Sequence, residues 1–219
     1  MMGGAQFWQF LVYNANLVPL MMAGVSGLVL FRRLPLGLRY LAGLTWFGLG
    51  VELVAATLRL QHRPNLFLIP LDVAGELWLL SLVYDWGLEW PAYSRARPWV
   101  VGTFVLYAAG SFLLLSKSVQ FFPSLMVTES LLALVLVGLY FRKLLQELRV
   151  QRLSHDPMFW VSTGVLLYFL GKLQIGLFSQ YIMQHYSKAF NQLMWAIHAL
   201  LLLVLYSCYC LALWIRPQK

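Results

Sequence analysis

The chain has 219 residues, 61% of them hydrophobic and only 11% charged, with a mean hydropathy of +0.72 and a net charge of +8. A soluble domain covers itself with about 25% charged residues, so this composition excludes a globule in water. The basic residues sit in short loops between apolar runs and form no patch, which excludes a nucleic-acid partner and leaves the lipid bilayer as the surrounding medium.

A helix needs about 20 apolar residues to cross the hydrocarbon. Seven runs reach that length. The first covers residues 6–31 and is stopped by Arg32-Arg33-Leu34-Pro35. The second covers 40–60. The third, 65–88, is opened by Pro64-Asn65, and the fourth covers 98–116. The fifth, 121–141, is expected to continue beyond the membrane as a basic helix over 142–153, with Leu144, Leu145, Leu148 and Leu153 beside Arg142, Arg149 and Arg152. The sixth, 157–181, begins at Asp156-Pro157, an N-cap followed by proline in the first turn. The seventh covers 191–215. Pro19 and Pro70 are expected to kink the first and third helices. Gly164 and Gly171, seven apart in the sixth, suit close helix packing. Cys208 and Cys210 point to roughly opposite sides of the last helix and are read as packing or lipid-facing thiols.

All connections are short, so the expected fold is one all-α domain, a polytopic seven-transmembrane-helix bundle. Lysine and arginine set its orientation. One side holds Arg32, Arg33, Arg39, Arg95, Arg97, Arg142, Lys143, Arg149, Arg152, Arg216 and Lys219; the other holds only Arg59, Arg63, Lys117 and Lys188. This bias predicts an outside N-terminus and a cytoplasmic C-terminus in the cell membrane.

Charges within hydrocarbon cost about 2.5–3.5 kcal/mol each on insertion scales and mark functional positions. Glu52, Glu76, Glu129, Lys172 and His198 lie inside five different spans at one depth, in the outer half of the bundle. A common depth suggests a shared polar cavity. Tyr13 and Asn16 on the first helix, Tyr168 one turn from Lys172, and Trp195 on the His198 face complete the expected ligand-binding set. Asp72, one turn before Glu76, is placed at an entrance. Lys172 is expected to bridge to one of the glutamates.

The carboxylates outnumber the cations, which suits a proton, a metal or a cationic ligand group. The favoured reading is a receptor or sensor that binds a small molecule or lipid, with a cytoplasmic partner at 142–153 carrying the signal. Two others stay open. One is an intramembrane hydrolase using acid/base chemistry or a divalent metal on Glu76, Glu129 and His198. The other is a small proton-coupled transporter. No cofactor is required, and retinal is not expected, because the seventh helix has no lysine.

The stretch Asp156-Pro157-Met158-Phe159-Trp160, followed by Tyr168-Phe169 and Gly171, resembles small seven-helix membrane proteins of Bacteroidetes-type bacteria, related to the membrane sensor regions of histidine kinases. That resemblance implies a bacterial cytoplasmic-membrane protein and favours sensing.

Overall fold

The computed structural model describes residues 17–115, 123–147, 153–185 and 188–215. Seven α-helices make up most of them: α1 (Leu17–Leu30), α2 (Leu36–Leu60), α3 (Ile69–Leu88), α4 (Pro91–Leu115), α5 (Pro123–Glu147), α6 (Pro157–His185) and α7 (Lys188–Trp214). The described residues contain no strand.

Local chemistry explains the helix ends. α1 tightens into the 3-10 turn Phe31–Arg33, and Pro35 then blocks its continuation. Arg39 folds back over this end: its Nε donates to Leu34 O at 2.9 Å and its Nη2 to Arg32 O at 3.4 Å, serving carbonyls that the ended helix leaves open. α6 starts as the Asp-Pro pair predicts. Asp156 Oδ1 accepts the Met158 N–H at 3.0 Å, and Oδ2 accepts a hydrogen bond from the Tyr140 hydroxyl of α5. Asp156→Ala removes both, so thermal unfolding in detergent should show a loss of about 1–2 kcal/mol. Asp156→Asn, which keeps an acceptor, should lose less.

Two expectations are corrected. Pro70 lies in the first turn of α3, where no intrahelical N–H is needed, so it starts the helix and does not kink it. The fourth helix begins at Pro91, seven residues before the apolar run, and carries Pro98 inside it. Hydrophobicity marks where lipid begins, whereas this helix extends beyond it on a polar turn fastened to α3. There Ser94 Oγ donates to Asp85 Oδ1 at 2.6 Å and Arg97 Nη1 to Asp85 Oδ2 at 3.0 Å. The basic extension of α5 reaches Glu147; residues 148–152 lie outside the described part.

Among the described residues, five helical segments are long and apolar enough to cross a membrane: Leu36–Leu60, Leu66–Leu88, Pro123–Gln146, Pro157–Phe178 and Ala196–Trp214. The distribution of side chains is that of a membrane protein. Leu28, Leu60, Trp99, Leu106 and Leu113 are exposed, while Glu129, Lys172, Thr45, Ser130 and Ser162 are buried. Water would penalise both halves of this arrangement; lipid favours the first and tolerates the second only where partners exist.

The packing order is a ring. α1 contacts α2, α2 contacts α3, α3 contacts α5, α5 contacts α6, α6 contacts α7, and α7 returns to α1. α4 stands outside the ring, packed mainly on α3. Polar ties fasten the seams. Trp46 Nε1 donates to Gly24 O at 2.9 Å across α1–α2, and Trp214 Nε1 to Ser26 Oγ at 2.8 Å across α7–α1. Tyr84 donates to Ser162 Oγ at 3.1 Å across α3–α6, and Lys143 Nζ to Gly87 O at 3.1 Å across α5–α3. At α6–α7, Gly164 and Gly171 give the predicted close approach. A Cβ on Gly164 would stand 2.8 Å from Cys208 Cβ, and one on Gly171 would overlap Leu201. Cys208 is therefore a buried packing thiol, and both cysteines are free.

Candidate functional site

Three helices of the ring carry the buried charges. Glu76 comes from α3, Glu129 from α5 and Lys172 from α6. Lys172 Nζ lies 2.8 Å from Glu76 Oε2 and 2.8 Å from Glu129 Oε2. The first contact is a directed hydrogen bond; the second is an ion pair by distance without hydrogen-bond alignment, since neither Glu129 oxygen has a hydrogen-bond partner among the described residues. The side chains are 3% exposed for Lys172, 0% for Glu129 and 15% for Glu76. The lysine bridges two glutamates rather than the single one expected. Its ammonium also sits 5.3 Å from the Tyr168 ring centroid and 5.1 Å from that of Phe169, within cation–π range.

Beside this clamp is a cavity of ≈ 160 Å3 among α2, α3, α6 and α7, which reaches from Asp72 near the start of α3 to Leu44 and Tyr209 in the other half of the bundle. Its acidic wall is Glu52, Asp72 and Glu76. Its aromatic wall is Phe47, Tyr168, Tyr206 and Tyr209, with His198 between them and Leu44, Val51 and Leu202 filling the remainder. The His198 and Tyr168 rings are 5.7 Å apart. Towards the end of α2, Arg59 Nη2 donates to Glu52 Oε1 at 2.6 Å. Asp72 makes no hydrogen bond or ion pair with another described residue.

Of the predicted ligand-binding residues, Glu52, Glu76, Tyr168 and His198 meet at this cavity. Glu129 and Lys172 do not line it; they stand behind Glu76 and fix its carboxylate. Tyr13 and Asn16 lie outside the described residues, and Trp195 is in α7 with its side chain outside them. Among the described residues no three His, Cys, Asp or Glu side chains converge closely enough to hold a metal ion, so Glu76, Glu129 and His198 do not form such a group.

No family model, curated protein or solved structure matches this chain. The site is therefore read from its own chemistry.

Sequence reasoning missed Phe47, Gly48, Tyr206 and Tyr209. The signal was present as helical spacing. Leu202, Tyr206 and Tyr209 follow His198 at i+4, i+8 and i+11, and Gly48 precedes Glu52 by four residues, so each lies on the face of a residue already singled out. The arrangement can bind and orient a small polar group. Three carboxyl side chains and several aromatic rings surround a partly apolar space, and Glu76 on its wall is held by a lysine it shares with a second glutamate.

Proposed function

We propose that this protein is a seven-helix receptor- or sensor-like component of the bacterial cytoplasmic membrane, which takes a small ligand from the outer aqueous phase into the α2–α3–α6–α7 cavity. The observation that carries the reading is the cavity itself: acidic side chains from α2 and α3 line a void, and one of them, Asp72, has no ion-pair partner among the described residues. A network that only fixed helix register would close over its charges. The lysine and arginine bias supports an orientation in which the Glu52 and Asp72 end of the cavity faces outside. Ligand contacts with α2, α3, α6 and α7 would shift these helices against one another. The exposed Arg142 near the opposite end of α5 suits contact with a cytoplasmic signalling partner.

A thiol placed in the cavity tests this directly. A Cβ at Gly48 would meet only Tyr206 Oη at 3.5 Å and Leu20 Cδ1 at 4.0 Å, so Gly48→Cys fits. In a Cys208→Ala, Cys210→Ala background on intact cells, a small membrane-impermeant thiol reagent should modify Gly48→Cys. Val137→Cys, in the closed core, should stay unmodified. Failure to label Gly48→Cys, with the protein folded and at the cell surface, would contradict an outward-open site.

A further inference from the structure

We infer that the ligand is a small organic ammonium ion, an inference that rests on the ligand-binding reading above and gives it a chemical class. Four carboxyl groups, Glu52, Asp72, Glu76 and Glu129, are served by two cations. Arg59 pairs with Glu52, and Lys172 is shared by Glu76 and Glu129. Asp72 is left on the cavity wall without an ion-pair partner among the described residues. An anion would meet three acidic side chains there, and a neutral ligand would leave the Asp72 carboxyl without an ionic partner beside apolar walls.

A second feature does not depend on the acids. Tyr209 is 1% exposed, lines the cavity, and its hydroxyl has no hydrogen-bond partner among the described residues. Buried hydroxyls are nearly always bonded, so this oxygen is a free acceptor for an N–H brought by a ligand. The rings of Phe47 and Tyr206 line the same space, and aromatic rings attract ammonium groups. The absence of a metal-holding group among the described residues turns the choice from an inorganic dication to an organic cation. At ≈ 160 Å3 the space is below the roughly 300–1,000 Å3 typical of drug-sized ligands. A short alkyl chain against Leu44, Val51 and Leu202, with its ammonium at the acidic wall, matches both the size and the polarity of the site.

Two measurements decide the matter. In the first, the Gly48→Cys protein reacts with two methanethiosulfonate reagents of equal length, one ending in trimethylammonium and one in sulfonate. The rate ratio, corrected for reaction with a free thiol, should favour the cation by roughly tenfold or more. Equal rates, or a preference for the sulfonate, would overturn the ammonium assignment while leaving the open cavity intact. No labelling by either reagent would overturn the cavity reading, and the assignment with it. In the second, calorimetric titration of the purified full chain should show saturable binding of n-butylammonium chloride and none of sodium butyrate. Asp72→Asn, which keeps the side-chain shape, should weaken that binding by roughly tenfold or more. Undiminished binding to Asp72→Asn, or no binding to the parent protein, contradicts the proposal.

Discussion

Replacing Lys172 by methionine is expected to lower stability by about 3–5 kcal/mol, the usual cost of removing one partner from a buried charge cluster. Two opposing effects decide the sign. Methionine removes an ammonium whose insertion alone costs about 2.5–3.5 kcal/mol, and it fills most of the vacated volume. Against that, Glu129 is fully buried and Glu76 largely so at 15% exposed, and both lose their counter-ion. Two uncompensated carboxylates outweigh one removed ammonium. Thermal unfolding of purified protein in one fixed detergent should therefore show a large drop for Lys172→Met. Combining it with Glu129→Gln should recover a substantial part, because only Glu76, which reaches the cavity, then lacks a partner. Equal stability of Lys172→Met and the parent protein would show that the clamp is absent.

A methyl group at Gly37 is expected to be the most damaging small change outside the polar site. Gly37 is buried on α2, and a Cβ there would overlap Cγ, Cδ2 and Cε3 of the Trp86 indole on α3. Those atoms are the root of a rigid ring, not the free end of a flexible chain. Overpacking of this kind costs about 1–3 kcal/mol. The α2–α3 seam also sets the spacing of Glu52 against Asp72 and Glu76, so Gly37→Ala should weaken ligand binding as well as stability. Gly102 and Gly138 supply the contrast. An added Cβ at either meets nothing within 4 Å, and alanine in a helix interior is favoured over glycine by up to about 1 kcal/mol. Gly102→Ala and Gly138→Ala should leave the midpoint unchanged or raised, while Gly37→Ala lowers it. A loss of similar size at all three would mean that the α2–α3 contact is not the cause.

The sequence made the spans readable because lipid imposes a length and a polarity on any helix that crosses it. It also flagged Lys172, Glu76 and Glu129, since an ionisable group in hydrocarbon has few places to go. It did not reveal that Lys172 joins two glutamates, because Glu129 and Glu76 stand on different helices and their convergence is a matter of packing order. The exterior position of α4 was hidden for a related reason: its apolar residues read the same whether they meet lipid or protein. Tyr206 and Tyr209 went unnoticed in a Leu-rich helix where aromatic residues have many bland explanations; only their spacing from His198 set them apart. Pro70 and Pro91 show the remaining difficulty. Proline marks a boundary, but whether it kinks a helix or begins one depends on where the flanking chain enters the membrane.

The most direct measurement is nuclear-spin distance determination in lipid bilayers, with the lysine Nζ labelled with nitrogen-15 and the glutamate carboxyl carbons with carbon-13. The Lys172 signal is assigned by its loss in Lys172→Arg. The predicted result is strong dephasing of that ammonium by two carboxyl carbons at once, halving in Glu76→Gln and again in Glu129→Gln. An ammonium dephased by one carboxyl group only, or by none, would contradict a lysine shared between α3 and α5 behind the cavity wall.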